Sequence, residues 1–181
     1  MTEASRPVAS RLTIDLAALV RNWHELAARV QTETSAVLKA DAYGIGIEPA
    51  GKALAAAGCR TFFVALPGEG LRLRQAAPGA VIYILAGIIP GSADALIAAD
   101  LRPVLNSVAD VDEWAAARPT SGTAAALHID TGMNRLGLSL AEARTQFEAA
   151  ARLTRNAREA AFFNARADAC DRTPVRGPEQ A

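Results

Sequence analysis

VIYILA, residues 81–86, is the stretch that says most about the fold, because it is a nearly uninterrupted apolar run of strand length. A strand with one face in water alternates apolar and polar residues, whereas a continuous apolar run is typical of a strand covered on both faces. Parallel strands flanked by helices have this character. The segment therefore predicts a buried parallel strand.

Four further runs of strand length surround this segment, and the C-terminal ends of all five fall 20 to 26 residues apart. They are Ala36 to Lys39, Thr61 to Ala65, Arg102 to Asn106 and Ala124 to Asp130. The stretches between them carry helix signals. Pro49 follows Glu48 at the start of one such stretch, and Gly58 closes it. The spacing predicts a repeated strand–helix unit.

Serine–acid pairs three residues apart predict the starts of two more helices, since each pair matches the capping-box spacing. They are Ser107 with Asp110 and Ser139 with Glu142. Asp15 is the predicted cap of an N-terminal helix, which a short separate strand precedes at Arg11 to Ile14. Two helices have apolar residues expected to share one face. These are Leu16, Leu19, Val20, Trp23 and Leu26 in the N-terminal helix, and Val108, Val111, Trp114 and Ala115 in the later one.

Five parallel units allow two architectures. One is a doubly wound open sheet, which is complete at 181 residues; the other is a (β/α)8 barrel, which needs eight units and about 250 residues. Chain length by itself favours the open sheet. A barrel would make this chain a partial one.

Composition narrows the classes of partner. The 19 basic and 19 acidic residues give zero net charge, and no basic cluster is present, so nucleic acid is not an expected partner. The longest uncharged apolar run, Ala80 to Ile89, is half of the roughly 20 residues that span a bilayer. The first ten residues lack a signal-peptide core. We expect a cytoplasmic protein without a membrane segment. Cys59 and Cys170 lie far apart without metal-ligand spacing, so we expect neither a disulfide framework nor a metal site.

Lysine is rare, which restricts amine chemistry to two residues. Seventeen of the basic residues are Arg, and only Lys39 and Lys52 can act as amine nucleophiles. Lys52 lies in an Ala-rich helical stretch and is interpreted as a solvated charge. Lys39 ends the first strand in VLKADAYGIG, residues 37–46, at the strand end where parallel α/β folds bind ligands. Tyr43 offers a hydroxyl and the following glycines allow close backbone approach. A surface lysine beside a turn is the alternative interpretation.

A second candidate loop is HIDTGMNRLG, residues 128–137, at the end of the fifth strand. Arg135 projects a planar fork suited to a carboxylate or phenolate oxygen, although such an arginine can equally form a surface salt bridge. His128 lies within an apolar strand and is expected to be a hydrogen-bonded core histidine. His24 is expected on the helix surface. An amine and a guanidinium at one edge of a sheet can bind one small anionic molecule.

These two loops resemble the signatures of the alanine racemases. The pattern K-A-[ND]-A-Y-G-x-G matches Lys39 to Gly46, and D-T-G-M-x-R-L-G matches Asp130 to Gly137. The resemblance implies an α/β fold that is a partial TIM-like (β/α)8 barrel of about five units. It covers residues 11 to 151, so residues 1–151 are expected to be the N-terminal part of the pyridoxal-phosphate-binding barrel. Residues 152–181 show none. Because Thr154 to Ala181 contains no Leu or Ile, we expect a poorly ordered tail, such as a shifted reading frame would produce.

The resemblance also implies a cofactor, a substrate and residue roles. The cofactor is pyridoxal 5'-phosphate, held by Lys39 as an aldimine, by Tyr43 at its phosphate and by Arg135 at its phenolic oxygen. Lys39 is the implied catalytic base, and Arg135 the implied binding group for the substrate carboxylate. The reaction is interconversion of L-alanine and D-alanine, a precursor of the cell wall.

The chain departs from the family in two respects that bear on activity. In the family, a tyrosine from the β-rich domain of the partner subunit serves the opposite face of the substrate, whereas the only tyrosines here are Tyr43 and Tyr83. An arginine on a later barrel strand contacts the pyridine nitrogen of the cofactor in the family, and nothing after Ala151 resembles that strand or the β-rich domain. We therefore expect this chain to be an incomplete form that is weakly active or inactive. Two alternatives stay open, a pyridoxal-phosphate carrier on the same barrel and a non-catalytic remnant. Self-association and a complementing chain also stay open.

Overall fold

The computed structural model describes residues 10–117 and 123–172. Five strands lie where the sequence predicts them, although they are shorter than the apolar runs. They are β1 Ala36–Val37, β2 Thr61–Val64, β3 Val81–Ile84, β4 Arg102–Leu105 and β5 Ala126–Leu127. Each strand joins a single parallel sheet.

The order of the strands selects the barrel over the doubly wound sheet. The sheet runs β1-β2-β3-β4-β5, so every strand is hydrogen-bonded to its neighbours in sequence. A doubly wound sheet reverses this order at a switch point, whereas a (β/α)8 barrel adds its strands in sequence. The predicted partial barrel is confirmed, and chain length by itself was misleading.

Helices cover one face of the sheet, and no helix in the described ranges covers the other. They are α1 Leu16–Ala27, α2 Lys39–Tyr43, α3 Ile47–Ala56, α4 Pro67–Ala76, α5 Ala93–Ala98, α6 Val108–Ala116, α7 Leu140–Leu153 and α8 Ala157–Arg172. Alternate strand residues, such as Phe62 and Ile82, are fully buried beneath them. None of the helices in the described ranges is both long and apolar enough to cross a bilayer.

The open face carries a row of side chains in register. Val37 pairs with Phe63, Phe63 with Tyr83, and Tyr83 with Arg102. The rings of Phe63 and Tyr83 stack with centroids 5.1 Å apart, and the guanidinium carbon of Arg102 lies 5.8 Å from the Tyr83 ring centre. This row lies below the C-terminal strand ends, where Lys39 follows two residues after Val37.

The predicted helix caps are present. The Asp15 carboxylate accepts from the Ala18 N–H at 2.9 Å, and the Ser107 hydroxyl accepts from the Asp110 N–H at 3.1 Å. Ser139 and Glu142 form a full capping box. Two predicted core positions are wrong: Leu26 and Ala115 are exposed, because each lies at the margin of its helix's apolar stripe.

The strand predicted at Arg11 to Ile14 does not form. These residues have no sheet partner in the described part of the chain, and the side chains of Leu12 and Ile14 are exposed. A strand needs a neighbour to pair its N–H and C=O groups, and apolar residues by themselves do not supply one.

The prediction of a poorly ordered tail is wrong for residues 157–172, which form α8. Asn156 caps this helix by accepting from the Arg158 N–H at 2.9 Å, and Ala167 and Cys170 are buried. Arg144 on α7 pairs with Asp171 at 2.5 Å. Alanine and arginine have high helix propensity, so an amphipathic helix forms here without Leu or Ile. Residues 173–181 of the predicted tail lie outside the described residues.

Tight packing between α3 and α4 yields a stability prediction. A Cβ built at Gly51 would lie 2.2 Å from Cδ1 of the buried Leu73, while one at Gly68 on α4 would meet nothing within 4 Å. We expect Gly51→Ala to cost about 1–3 kcal/mol of unfolding free energy by overpacking. Gly68→Ala should gain up to about 1 kcal/mol from helix propensity. Urea unfolding measures both variants, and equal stability would contradict this packing.

Candidate functional site

Both candidate loops lie at the same edge of the sheet. Because all strands are parallel, their C-terminal ends meet at one edge, which carries Lys39 after β1 and Asp130 and Arg135 after β5. Four strand spacings of about 4.8 Å separate β1 from β5 along the sheet, a path of about 19 Å. A curved sheet shortens the direct distance, since a chord is shorter than its arc.

The sequence analysis predicted Lys39 at the end of the first strand. In the structure, Lys39 lies at the first position of the turn that follows the strand. β1 ends at Val37, and Lys39 begins α2. The Lys39 side chain is half-buried. In the described part of the chain, no hydrogen bond or ion pair engages its amine. Tyr43 ends the same turn and is 65% exposed.

The turn that joins these two residues is left-handed. Ala40, Asp41, Ala42 and Tyr43 have φ between 52° and 56°. For L-residues this conformation costs about 1–2 kcal/mol each, so surrounding contacts must stabilise it. The sequence analysis missed the left-handed turn because no residue in it is glycine.

An ion-pair cluster made of Asp41, Glu48 and Arg72 stabilises this turn. The Arg72 guanidinium donates to Asp41 Oδ1 at 2.8 Å and to both carboxylate oxygens of Glu48 at 2.6 and 2.7 Å. Asp41 Oδ1 also accepts from the Ile47 N–H at 3.0 Å. The hydrogen bond from Arg72 holds the pKa of Glu48 below its ordinary value. This cluster links the turn to both α3 and α4.

Glu69 makes a second connection between the turn and α4. Glu69 Oε2 accepts from the N–H groups of Ala65 and Leu66 at 2.8 and 3.1 Å, while Oε1 accepts from the Asp41 N–H at 3.4 Å. One carboxylate thus joins the end of β2 to the turn. Neither Arg72 nor Glu69 belongs to the signatures that the sequence analysis singled out.

Asp130 organises the second loop and does not face a ligand as a free carboxylate. Its Oδ1 accepts from the N–H groups of Gly132 and Met133, each at 2.9 Å, and its Oδ2 accepts from Asn134 at 2.9 Å. These hydrogen bonds lower the pKa of Asp130, that from Gly132 most strongly. Arg135 is exposed at the tip, with no ion pair to any described residue.

Close backbone contacts shut the base of this loop. The Asp130 N–H donates to the Leu138 carbonyl at 2.9 Å, and the Leu138 N–H donates to the His128 carbonyl at 2.8 Å. A Cβ at Gly137, where φ is 110°, would lie 2.8 Å from the Asp130 nitrogen. Glycine is therefore required at this position if the loop is to keep its shape.

His128 is hydrogen-bonded, as expected, but it is only partly buried and is not a core residue. Its Nδ1 lies 2.6 Å from Oδ1 of the buried Asn106, whose Nδ2 donates to the Leu85 carbonyl at 3.0 Å. Since the Asn106 amide donates to Leu85, its oxygen faces His128 and Nδ1 is the donor. His24 is exposed, as expected.

The described ranges contain no group of three His, Cys, Asp or Glu side chains able to hold a metal ion. Cys59 and Cys170 are both free and buried. Burial raises the pKa of the Cys59 thiol above its ordinary value, which disfavours the thiolate needed for nucleophilic chemistry.

The role of Asp130 gives a pH prediction. A carboxyl with a lowered pKa in the folded state stabilises its loop above the ordinary value of 3.8, and this contribution is lost as the pH falls through the lowered pKa. We expect the protection of the Gly132 and Asn134 amides, measured against their intrinsic exchange rates, to fall below pH 3.8. Asp130→Ala should show this reduced protection already at neutral pH, while Asp130→Asn, which keeps one acceptor oxygen, should fall between. Equal exchange in all three proteins would contradict the assignment.

Comparison with known proteins assigns the family. Residues 14–179 match the model of the alanine racemase N-terminal domain. The chain belongs to the alanine racemase family. This match also extends beyond Ala151, where the resemblance in the sequence ended; the domain boundary predicted there stays a prediction.

Individual alanine racemases agree with this assignment. The enzyme of Methylobacterium sp. (strain 4-46) is 56% identical over 143 residues, and that of Rhizobium meliloti is 49% identical over 136 residues. A crystal structure of alanine racemase from Bartonella henselae with covalently bound pyridoxal phosphate superposes with a TM-score of 0.70 at 37% identity, covering 75% of this chain and 39% of that one. The chain spans about two fifths of the length of the curated relatives it matches, 39% for the Methylobacterium enzyme.

Proposed function

We propose that this chain binds pyridoxal 5'-phosphate at the C-terminal strand edge, with Lys39 attached covalently and Tyr43 and Arg135 as noncovalent binding groups. One contrast supports this most. The carboxylates beside the three groups, Asp41 and Asp130, are engaged in building their loops. The amine, the hydroxyl and the guanidinium themselves have no partner among the described residues.

The chemistry of these groups fits the cofactor. An amine nucleophile suits its aldehyde, a guanidinium suits its phenolate oxygen, and a hydroxyl suits its phosphate. Both loops have rigid supports, the ion-pair cluster under the first and the Asp130 hydrogen bonds under the second. When bound, the cofactor supplies a conjugated ring that delocalises the charge left by removal of a substrate proton.

The proposed reaction is interconversion of L-alanine and D-alanine, which makes alanine the small-molecule substrate. Lys39 Nζ, once freed, removes or returns the proton at Cα of alanine on one face. Arg135 orients the substrate carboxylate, and Tyr43 anchors the phosphate end. A second acid–base group is needed on the other face, and a complementing chain is proposed as its source. Supply of D-alanine for the cell wall and a cytoplasmic location follow from the same proposal.

A comparison of pyridoxal phosphate with pyridoxal tests the phosphate site. We expect the wild-type chain to bind pyridoxal phosphate more tightly than pyridoxal, because only the former engages Tyr43. Tyr43→Phe should weaken binding of the phosphorylated form about tenfold, the scale of a hydrogen bond to a charged group, and leave pyridoxal unaffected. Tyr83→Phe, at the only other tyrosine, is the matched control. Equal affinity of the wild type for both compounds would refute the proposed site.

A further inference from the structure

The left-handed turn between Lys39 and Tyr43 determines how the two proposed cofactor groups are placed. Lys39 is its first residue and Tyr43 its last, so any change in the turn moves the amine relative to the hydroxyl. Four consecutive non-glycine residues hold φ values that L-residues avoid. Such a conformation persists only where the surrounding structure fixes it.

Arg72 is a cation on α4 that contacts this turn. Its guanidinium binds Asp41 within the turn and Glu48 in the first turn of α3, at 2.6 to 2.8 Å. The ion pairs are about half exposed, with side-chain exposures of 47% for Arg72 and 49% for Asp41. The planar fork of arginine suits this bridging, since it can bind one carboxylate with two N–H groups and still reach another.

The cluster also satisfies a backbone donor that the helix leaves free. Ile47 begins α3, and its N–H has no partner within the helix. It donates to the same Asp41 oxygen that Arg72 binds. Loss of Arg72 would therefore loosen both the turn and the start of α3.

We propose that Arg72 is a positioning residue of the site: it binds Asp41 and Glu48 together and so fixes the spacing between the Lys39 amine and the Tyr43 hydroxyl. The identity of the ligand rests on the proposed function, whereas the effect on the turn does not. Arg72 does not reach the cofactor itself in this assignment. It acts through the backbone of residues 40–43.

The test compares Arg72→Gln and Arg72→Lys with Arg29→Gln, which removes a surface ion pair with Glu25 on α1. Amide exchange of residues 40–47 is measured in each free protein, and the rate of covalent pyridoxal phosphate capture at Lys39 in each full chain. In Arg72→Gln we expect about tenfold faster exchange at Ile47 and about 10- to 100-fold slower capture. Arg72→Lys should lie between, and Arg29→Gln should match the wild type.

Unchanged exchange in Arg72→Gln, or faster exchange with unchanged capture, would overturn the assignment. If the wild type captures no cofactor, the proposed function fails, and exchange by itself then supports or overturns the role of Arg72 in the turn. Thermal unfolding checks that each variant folds. Should Arg72→Gln not fold, Glu48→Gln replaces it: faster exchange at Ile47 supports the assignment, and wild-type exchange overturns it.

Discussion

Replacement of Lys39 by alanine is expected to abolish covalent capture of pyridoxal phosphate. The physical reason is that no other side chain at the C-terminal strand edge is an amine; the chain's remaining lysine, Lys52, lies exposed on α3. Arginine cannot substitute, because its guanidinium stays protonated. Absorbance titration with the cofactor measures the loss.

Lys52→Ala is the matched control for this variant. It removes the same functional group from a helix outside the site, so we expect capture at the wild-type level. Lys39→Arg adds a second comparison, since it keeps the positive charge and the long stem without an amine nucleophile, and it should fail as Lys39→Ala does. Capture that survives in Lys39→Ala, or that disappears in Lys52→Ala, would contradict the assigned role.

The second large expected effect is slow turnover by the 181-residue chain when it is tested by itself. We expect conversion of L-alanine to D-alanine to be at least about 10²- to 10⁴-fold slower than in full-length relatives, the contribution of one general acid–base group. Lys39 can serve one face of the substrate. Neither tyrosine is free for the other, because Tyr43 is assigned to the phosphate and Tyr83 stacks on Phe63 at the open face. The measurement is D-alanine formed from L-alanine by the purified chain.

The Lys39→Ala variant also serves as the control for this assay. Activity that persists in that variant comes from a contaminating racemase and is subtracted. Turnover close to that of full-length relatives, lost in Lys39→Ala, would show that the chain supplies both acid–base groups.

Local patterns in the sequence were sufficient to predict the five strands of the sheet and the helix caps. The apolar run around Val81 and the serine–acid pair at Ser139 and Glu142 act over a few residues, and the structure has both. The prediction of a poorly ordered tail was wrong because alanines and arginines form a helix there even without Leu or Ile. The prediction of a strand at Arg11 to Ile14 was wrong because strand pairing depends on a neighbouring strand that the local sequence does not specify.

The support of the candidate site could not be read from local sequence. The hydrogen bond from Arg72 to Asp41 joins residues 31 positions apart, and that between Glu69 and Asp41 joins residues 28 apart. The left-handed turn results from those contacts and has no glycine to signal it. Asn106 likewise becomes a buried partner of His128 only once β4 and β5 lie side by side. Motifs indicated which groups we propose as ligand-binding, and tertiary contacts decide how they are held.

The most direct test of a single reactive amine at the strand edge is to mix the wild-type chain with pyridoxal phosphate, reduce the product with borohydride and map the label by peptide mass spectrometry. The structure predicts one label, on Lys39. A label divided between Lys39, the exposed Lys52 and the terminal amine would show that the turn confers no special reactivity, which would contradict the proposed site.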